Sequence, residues 1–376
     1  MTGPSALDLS VDVAQLTMAL IDIPSESKSE ARLADLVQQA LDPLDHLLVD
    51  RVGDTVVART VWGRAERVVL GGHLDTVPAA DNSRATYVAA GEAVPLVGLD
   101  GLTKAPADRI YGLGACDMKG GVAVALKCAH DLRDAVRDVT YVFYSGEEIA
   151  AEYNGLGHVA RLRPDLLADV DLAVLMEPSD AGIEAGCQGT LRVAVTVRGR
   201  RAHSARAWLG ENAIHAAHEI LDRLARYEAR TVLIDGLEYR EGLNAVLVSG
   251  GSATNVIPDE CRVTVNYRYA PDLSPDDALQ HVEQVFAGFE ITVLDNIGGA
   301  PPGLEHPASR EFIAATGAVP RPKFGWTDVA RFAALGVPAV NFGPGSPTLA
   351  HTREEFVPVA DLTVVFGALR RWLAPG

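Results

Sequence analysis

Two polar strings directly follow apolar runs, and this placement restricts the fold more than any other feature of the chain. The string G-H-L-D-T-V-P at 72–78 follows the run 67–71, and G-E-E at 146–148 follows the run 139–145. Ligands of open α/β sheets bind outside the carboxyl ends of the strands, so polar residues at these points are typical of a functional edge. The strings therefore predict a parallel sheet with a site along one edge.

Apolar runs alternate with segments of helical periodicity in the first and last parts of the chain. Strands are predicted at 56–60, 68–71, 139–144, 172–176 and 337–342, and helices at 11–21, 29–41, 119–135 and 327–335. Such alternation favours an α/β fold, with a mostly parallel sheet flanked by helices.

The middle of the chain has a different pattern. Residues 191–197 and 260–269 alternate in period two, as half-buried antiparallel strands do, and a single helix is predicted from Asn212 to about Arg230. A chain of 376 residues is long for one core, which favours two domains.

The predicted domain boundaries follow from this change of pattern. We expect a catalytic domain built from 1–184 and 296–376, with an inserted α+β domain at 185–295. The stretch 298–303 is rich in Pro and Gly and predicts the return linker, and 91–109 predicts a surface loop.

Composition excludes several classes of partner. The formal net charge of −17 disfavours nucleic acid and anionic membranes, since both bind basic surfaces. No apolar stretch is long enough to span a membrane, and the N-terminus lacks the features of a signal peptide. The four cysteines have no C-x-x-C spacing, so reduced thiols and a cytoplasmic location are expected.

Five side chains are predicted to gather at or just beyond the same edge of the sheet. They are His73, Asp117, Glu148, Glu177 and His351. Each has a simpler explanation alone: Asp117 is placed for a helix N-cap, and glutamates at strand ends are usually solvated. Together, two imidazoles and three carboxylates are a ligand set typical of zinc, with cobalt or manganese as substitutes. The set predicts a metal-dependent hydrolase.

The neighbouring carboxylates suggest a division of roles. Adjacent residues of an extended segment point to opposite sides, so one of Glu147 and Glu148 is predicted as a metal ligand and the other as the general base. Asp75 is placed to orient the His73 imidazole. The Gly-rich stretch 112–121 lacks the G-x-G-x-x-G pattern, which disfavours a dinucleotide loop.

These motifs resemble the M20 family of dizinc amidohydrolases and peptidases along essentially the whole chain. Within that family, the longer strings are similar to those of actinobacterial succinyl-diaminopimelate desuccinylases. The strings are E-A-G-C-Q-G-T-L-R-V at 184–193, R-A-H-S-A-R-A-W-L-G-E-N-A-I-H at 201–215, N-V-I-P-D at 255–259 and G-W-T-D-V-A-R-F-A-A-L-G at 325–336.

The resemblance implies a role for each ligand at two zinc ions. Asp117 would bridge the two ions, with His73 and Glu177 completing one site and Glu148 and His351 the other. It also implies that Glu147 takes a proton from the bridging water as the general base, and that a cis peptide bond follows Asp117.

The resemblance further implies a homodimer formed through 185–295. His203 would reach the active site of the partner subunit and polarise the scissile carbonyl. His215 and His218, spaced i, i+3, are instead expected at the surface or the dimer interface.

Substrate-binding residues are also implied by the resemblance. Asn255, Arg268 and Thr327 would line the pocket, with Arg268 pairing a carboxylate. One departure concerns Cys187-Gln188, where desuccinylases of Gram-negative type carry an Arg pair, so the residue that holds the succinyl carboxylate is left open.

The implied activity is hydrolysis of N-succinyl-LL-2,6-diaminopimelate to succinate and LL-2,6-diaminopimelate, a precursor of lysine and peptidoglycan. Three alternatives remain: a deacylase of another N-acyl amino acid such as N-acetylornithine, a peptidase of the same family, and an inactive zinc-binding scaffold.

Overall fold

The computed structural model describes residues 4–94 and 104–375, which form two compact units. The larger unit comprises Met1–Ala185, Gly303–Arg321 and Arg331–Gly376, and the smaller unit comprises Gly186–Pro302 and Pro322–Ala330. The predicted division at 185–295 differs from this one at its second boundary and in the segment 322–330. Within the smaller unit, the Trp326 indole N–H donates to the Gly298 carbonyl (3.1 Å), which ties that segment to the unit.

The strands are numbered β1 to β19 in chain order. They are Leu48–Val52 (β1), Thr55–Arg59 (β2), Arg67–His73 (β3), Thr86–Val88 (β4), Arg109–Tyr111 (β5), Asp138–Tyr144 (β6), Leu172–Pro178 (β7), Glu184–Ala185 (β8), Gly189–Arg198 (β9), Ala202–His203 (β10), Thr231–Ile234 (β11), Leu237–Arg240 (β12), Gly242–Gly250 (β13), Val256–Ile257 (β14), Glu260–Tyr269 (β15), Glu290–Ile297 (β16), Arg321–Pro322 (β17), Ala339–Gly343 (β18) and Phe356–Pro358 (β19).

The α-helices are numbered in the same way. They are Val13–Ile21 (α1), Ala31–Leu41 (α2), Gly120–Asp131 (α3), Gly155–Leu162 (α4), Ala213–Ala216 (α5), His218–Ala225 (α6), Pro275–Val285 (α7), Pro307–Thr316 (α8), Val329–Ala334 (α9) and Val359–Leu373 (α10). None of these described helices has the length and apolar composition that a membrane crossing requires.

The larger unit is built on a sheet with the strand order β1-β2-β6-β3-β7-β18-β8-β17. The central neighbours β6, β3, β7 and β18 run parallel, whereas the pairs β1–β2, β2–β6 and β18–β8 are antiparallel. The predicted α/β class is confirmed, and the parallel arrangement is confined to the centre. The β1–β2 pair is antiparallel because a tight turn at Gly53 (φ 59°) joins the two strands directly.

The apolar runs of the sequence form the core of this sheet. Every residue of β6 and β7 is buried, as is every residue of β3 except Arg67, because helices flank the sheet. Helix α3 packs against β3, β6 and β7, and α1 and α10 pack on α3. The close approach of α3 depends on Gly121, where a Cβ atom would lie only 2.2 Å from the Met176 carbonyl oxygen of β7.

The smaller unit contains an antiparallel sheet of order β13-β15-β9-β16. Residues at alternate positions of β15 are buried, as the period-two pattern predicts. They belong to a core that also includes Ile220 of α6 and Val282 of α7. Ser274 begins α7 with a reciprocal capping box to Asp277.

The helix predicted from 212 to about 230 is shorter than expected. The chain forms α5 and α6 with Ala217 between them in the right-handed helical region (φ −65°, ψ −12°), and α6 ends at Ala225. The helix stops early because β11 begins at Thr231 and the intervening residues must lead the chain into it.

The predicted surface loop 91–109 is described only at its ends. Residues 95–103 lie outside the described residues, Ala93 and Lys104 form an isolated bridge, and Arg109 already belongs to β5.

Candidate metal centre

The site in the larger unit lies where the central parallel strands end. The parallel register places His73, the last residue of β3, opposite Tyr144, the last residue of β6. Glu147 and Glu148 follow β6 directly, and Glu177 is a buried residue near the end of β7. The parallel pairing therefore brings separate segments of the sequence to one edge of the sheet.

Asp117 is not a helix N-cap. It lies in a non-helical turn (φ −121°, ψ 89°) before α3, and Lys119 occupies the capping position. The peptide bond between Asp117 and Met118 is cis, as the family resemblance implies. The turn presents the two oxygens of the Asp117 carboxylate to two different imidazoles.

Three ligand atoms converge at this point. Those of His73, Asp117 and Glu148 lie within 4.8 Å of one another, so these residues could together hold a metal ion. His73 Nε2 is 3.0 Å from Asp117 Oδ1, and His351 Nε2 is 3.4 Å from Asp117 Oδ2 and 2.9 Å from Glu148 Oε1. Two ligands bound tetrahedrally to zinc at about 2.0–2.1 Å lie about 3.3 Å apart, so the donor separations fit such an ion.

The electrostatics of the cluster favour positive charge. Burial lowers the pKa of the His73 imidazole, but its contact with Asp117 outweighs this and raises that pKa well above its ordinary value. Hydrogen bonds to Asp117 and Glu148 raise the pKa of His351 to about 10. Burial alone would raise the pKa of Asp117, yet the two imidazoles hold it below the ordinary value. A bound metal dication would replace these protons as the balancing charge.

Asp75 has a different contact from the one predicted. His73 Nδ1 lies 2.9 Å from the backbone carbonyl oxygen of Asp75, while the Asp75 carboxylate is 3.7 Å away, beyond hydrogen-bond distance. The carboxylate accepts instead from the backbone N–H groups of Glu147 (3.0 Å) and Glu148 (3.1 Å) and from the Ser27 hydroxyl (2.8 Å). Asp75 thus orients the His73 imidazole through its carbonyl. Through its side chain it holds residues 146–148, the glutamate loop.

The glutamate loop begins at a glycine that no other residue could replace without strain. Gly146 has φ 69°, and a Cβ atom there would lie 2.4 Å from the Tyr153 carbonyl oxygen. Its N–H donates to the buried carboxylate of Glu30 (3.1 Å). The loop is therefore held by two buried carboxylates, those of Glu30 and Asp75.

Sequence reasoning missed Glu355, a buried carboxylate next to the cluster. It accepts hydrogen bonds from the backbone N–H groups of Gly114, Cys116 and Asp117. Burial raises the pKa of Glu355 to about 7. The sequence T-R-E-E-F offers no signal that separates Glu355 from Glu354, since the bonds depend on how two distant loops meet.

The remaining predicted residues belong to the smaller unit, where they form two groups. His203 and Asn255 are exposed and adjacent: β10 pairs with β14, and the Ser204 N–H donates to the Asn255 carbonyl (2.9 Å). His203 Nδ1 accepts from the Ala205 N–H (3.0 Å), which leaves Nε2 pointing away from this bond.

The second group lies at the other end of β9 and β15. Arg268 is half-buried, lies opposite Thr190, and forms no ion pair with another described residue. Thr327 is buried, and its carbonyl lies 3.7 Å from the Cys187 sulfur. Gln188, also buried, donates its side-chain amide to the Arg240 carbonyl (2.7 Å).

His215 and His218 are exposed, as predicted. His218 Nδ1 contacts the His215 carbonyl oxygen at 3.0 Å, so the pair is joined through the backbone.

Comparison with known proteins agrees with the fold. Residues 69–374 match the peptidase family M20/M25/M40. The chain belongs to this family.

M20 proteins similar to this chain include two actinobacterial relatives and a solved structure. A Mycobacterium tuberculosis protein, provisionally named succinyl-diaminopimelate desuccinylase DapE, is 52% identical over 98% of this chain and 99% of its own length. Succinyl-diaminopimelate desuccinylase of Corynebacterium glutamicum is 44% identical over 98% of each chain. A Staphylococcus aureus tripeptidase has a TM-score of 0.74 at 20% identity, over 98% of each chain, which shows a shared fold.

Proposed function

We propose that this M20 protein removes the succinyl group from N-succinyl-LL-2,6-diaminopimelate, giving succinate and LL-2,6-diaminopimelate for lysine and peptidoglycan synthesis. The observation that carries the hydrolytic chemistry is the meeting of His73, Asp117, Glu148 and His351. The substrate rests on the near full-length similarity to relatives that carry the desuccinylase name. Synthesis of these precursors suits a cytoplasmic enzyme with the four free cysteines of this chain.

The proposed cofactor is a pair of Zn²⁺ ions, with Co²⁺ or Mn²⁺ as substitutes. Asp117 would bridge them, with His73 and Glu177 holding one ion and Glu148 and His351 the other. Bound zinc ions polarise a carbonyl and lower the pKa of water, which supplies a nucleophile near neutral pH.

In this proposal, Glu147 moves the proton. Its carboxylate takes a proton from the attacking water as the water oxygen bonds to the amide carbon. When the C–N bond breaks, Glu147 returns that proton to the leaving amine, so atoms and charges balance. The Asp75 carboxylate fixes the Glu147 backbone for this task through its N–H (3.0 Å).

Arg268 is proposed to bind a carboxylate of the substrate. It lacks an ion-pair partner among the described residues, and a guanidinium binds a carboxylate through two parallel hydrogen bonds. Gln188 is engaged by the Arg240 carbonyl and Cys187 is buried, so neither replaces the Arg pair of the Gram-negative enzymes in binding the succinyl carboxylate.

A homodimer through 185–295 also belongs to the proposal. Asn255 lies near the Glu260 end of β15, and Arg268 lies near the other end. At about 3.3 Å per residue, positions 260 and 268 of this strand are about 26 Å apart. Two side chains so far apart in one smaller unit can line the same small-molecule pocket only if one comes from a second subunit. The outer strand β13 exposes Val246, Leu247 and Val248 (52, 68 and 57% exposed), an apolar surface suited to a second copy.

Complementation tests the shared site. In a mixture of Glu147→Ala and His203→Ala chains, a mixed dimer would contain one site with an intact Glu147 and an intact His203. Because half of the dimers are mixed at random assembly, about a quarter of wild-type activity is expected from two inactive parents. Activity that stays at the level of the parents would refute a contribution of His203 across the dimer.

Kinetics on two substrates test the specificity. We expect a higher kcat/KM for N-succinyl-LL-2,6-diaminopimelate than for N-acetylornithine; the opposite preference would make the chain a deacylase of another N-acyl amino acid. Glu147→Ala should abolish turnover while about two metal ions per subunit remain bound. If Glu147→Ala keeps wild-type turnover, Glu147 is not the general base. If the wild-type chain binds metal but hydrolyses no amide or peptide, it is an inactive zinc-binding scaffold.

A further inference from the structure

Glu355 connects the segment that carries Asp117 to the segment that carries His351. Its Oε2 accepts from the Gly114 N–H (2.9 Å), and its Oε1 accepts from the N–H groups of Cys116 and Asp117 (3.0 Å each). Its own carbonyl accepts from the Gly112 N–H (3.1 Å). The side chain is only 1% exposed, so these bonds form away from solvent.

The strand that follows Glu355 holds it in place. β19 starts at Phe356 and pairs antiparallel with β5, with Phe356 opposite Tyr111. The chain then passes from Tyr111 through Gly112 to the turn that Glu355 binds. The carboxylate therefore has a fixed position from which to hold the turn.

We infer that Glu355 is a positioning residue of the metal centre: among the described residues it forms no hydrogen bond or ion pair with a carboxylate or imidazole of the cluster, yet it sets where the Asp117 carboxylate stands relative to His351. This inference rests on the proposed ligand role of Asp117. The bonds are charge-assisted, and they fix the backbone of Asp117 itself. Side chains that orient ligands in this way tune metal affinity although they do not touch the metal.

Glu355→Gln is an informative substitution because the side chain keeps its size. The amide has one acceptor oxygen, so it can satisfy the Gly114 N–H or the N–H groups of Cys116 and Asp117, but not all three. Its NH₂ group must then face a backbone N–H, which displaces the turn. Glu355→Asp keeps both acceptors on a side chain that is one methylene shorter.

Asp138→Asn is the matched control. Asp138 is also a buried carboxylate (3% exposed) that accepts from backbone N–H groups, those of Trp62, Gly63 and Arg64. It is the first residue of β6, at the opposite end of that strand from the metal centre. Its loss should affect folding in the same way without moving a ligand.

The experiment measures zinc affinity by competition with a chromogenic chelator, together with kcat, KM and the Tm of the metal-free protein. For Glu355→Gln we expect about 10- to 100-fold weaker zinc binding, a lower kcat, and a KM within about twofold of wild type. Glu355→Asp should lie between Glu355→Gln and wild type. Asp138→Asn should match wild type in zinc affinity and kcat while its metal-free Tm falls.

Two outcomes would overturn the inference. The first is a folded Glu355→Gln variant with wild-type zinc affinity and kcat. The second is a loss of zinc affinity in Asp138→Asn as large as that in Glu355→Gln. Asp117→Ala, measured beside them, separates the two proposals. If Asp117→Ala loses zinc while Glu355→Gln keeps it, only the positioning role fails; if Asp117→Ala binds zinc normally, the proposed metal centre fails as well.

Discussion

Gly146→Ala should slow catalysis by displacing the two glutamates that follow it, in addition to destabilising the fold. The new Cβ atom would lie 2.4 Å from the Tyr153 carbonyl oxygen, and ordinary contact begins near 3.4 Å, so the backbone must move by about 1 Å. Glu147 and Glu148 follow directly and would move with it. A displacement of about 1 Å at reacting groups can cost about 100-fold in rate, which is the expected loss in kcat.

The stability cost of Gly146→Ala has two parts. A non-glycine residue at φ 69° costs about 1–2 kcal/mol, and overpacking against Tyr153 adds about 1–3 kcal/mol. Gly53→Ala is the control, because Gly53 has φ 59° with no atom within 4 Å of the new Cβ. It should show the first cost alone in urea unfolding and keep wild-type kcat.

The assay is steady-state hydrolysis of N-succinyl-LL-2,6-diaminopimelate at a temperature where both variants are folded. The reasoning is refuted if Gly146→Ala keeps kcat within about twofold of wild type. It is equally refuted if Gly53→Ala, which moves no proposed catalytic group, loses as much activity as Gly146→Ala.

Three further predictions follow from the same contacts. Burial acts to raise the pKa of Asp138, but hydrogen bonds from Thr60 and from backbone N–H groups outweigh it and lower that pKa. The ionised carboxylate therefore stabilises the fold at pH values above its unfolded pKa of about 3.9. In differential scanning calorimetry, the Tm deficit of Asp138→Asn should be largest near neutral pH and shrink as the pH falls toward 3. Arg268→Gln should raise KM for the succinyl substrate by about 10- to 100-fold with a smaller change in kcat, because a charged hydrogen bond contributes about 1.5–3 kcal/mol. An unchanged KM in steady-state kinetics would show that Arg268 does not line the pocket. Leu247→Glu should convert the proposed dimer to a monomer in light scattering, whereas Leu294→Glu, at an exposed position of β16 on the opposite edge of the sheet, should not; two dimeric variants would place the interface elsewhere.

The parts of the structure that the sequence predicted are those set by periodicity and chain direction. β6 and β7 are buried throughout, so they appear as apolar runs, and parallel pairing then places the residues that follow them at one edge. Five side chains could therefore be predicted at this edge without coordinates: His73, Asp117, Glu148, Glu177 and His351. The antiparallel outer pairs and the early end of α6 were missed because neither changes the local apolar pattern.

The contacts that could not be predicted are those between side chains and the backbone of distant segments. Asp75 was expected to bind the imidazole two residues away, yet its carboxylate binds N–H groups 72 and 73 residues along the chain. Glu355 binds N–H groups more than 230 residues away. Any buried acceptor with the right reach would satisfy these groups, so residue type alone does not identify it.

The three buried carboxylates around the metal centre solve a common physical problem. The loops that present Asp117, Glu147 and Glu148 lie outside the regular strands and helices, so their backbone N–H groups have no partners in a strand ladder or a helix. Their buried N–H groups still require acceptors, and a carboxylate can satisfy two or three at once. Glu30 serves Gly146, Asp75 serves Glu147 and Glu148, and Glu355 serves the Asp117 turn. When ionised, each carboxylate also adds negative charge next to the cluster, which strengthens its attraction for a dication. The same groups that satisfy the irregular backbone therefore favour metal binding, and replacing any one of them should weaken zinc affinity together with the order of its loop.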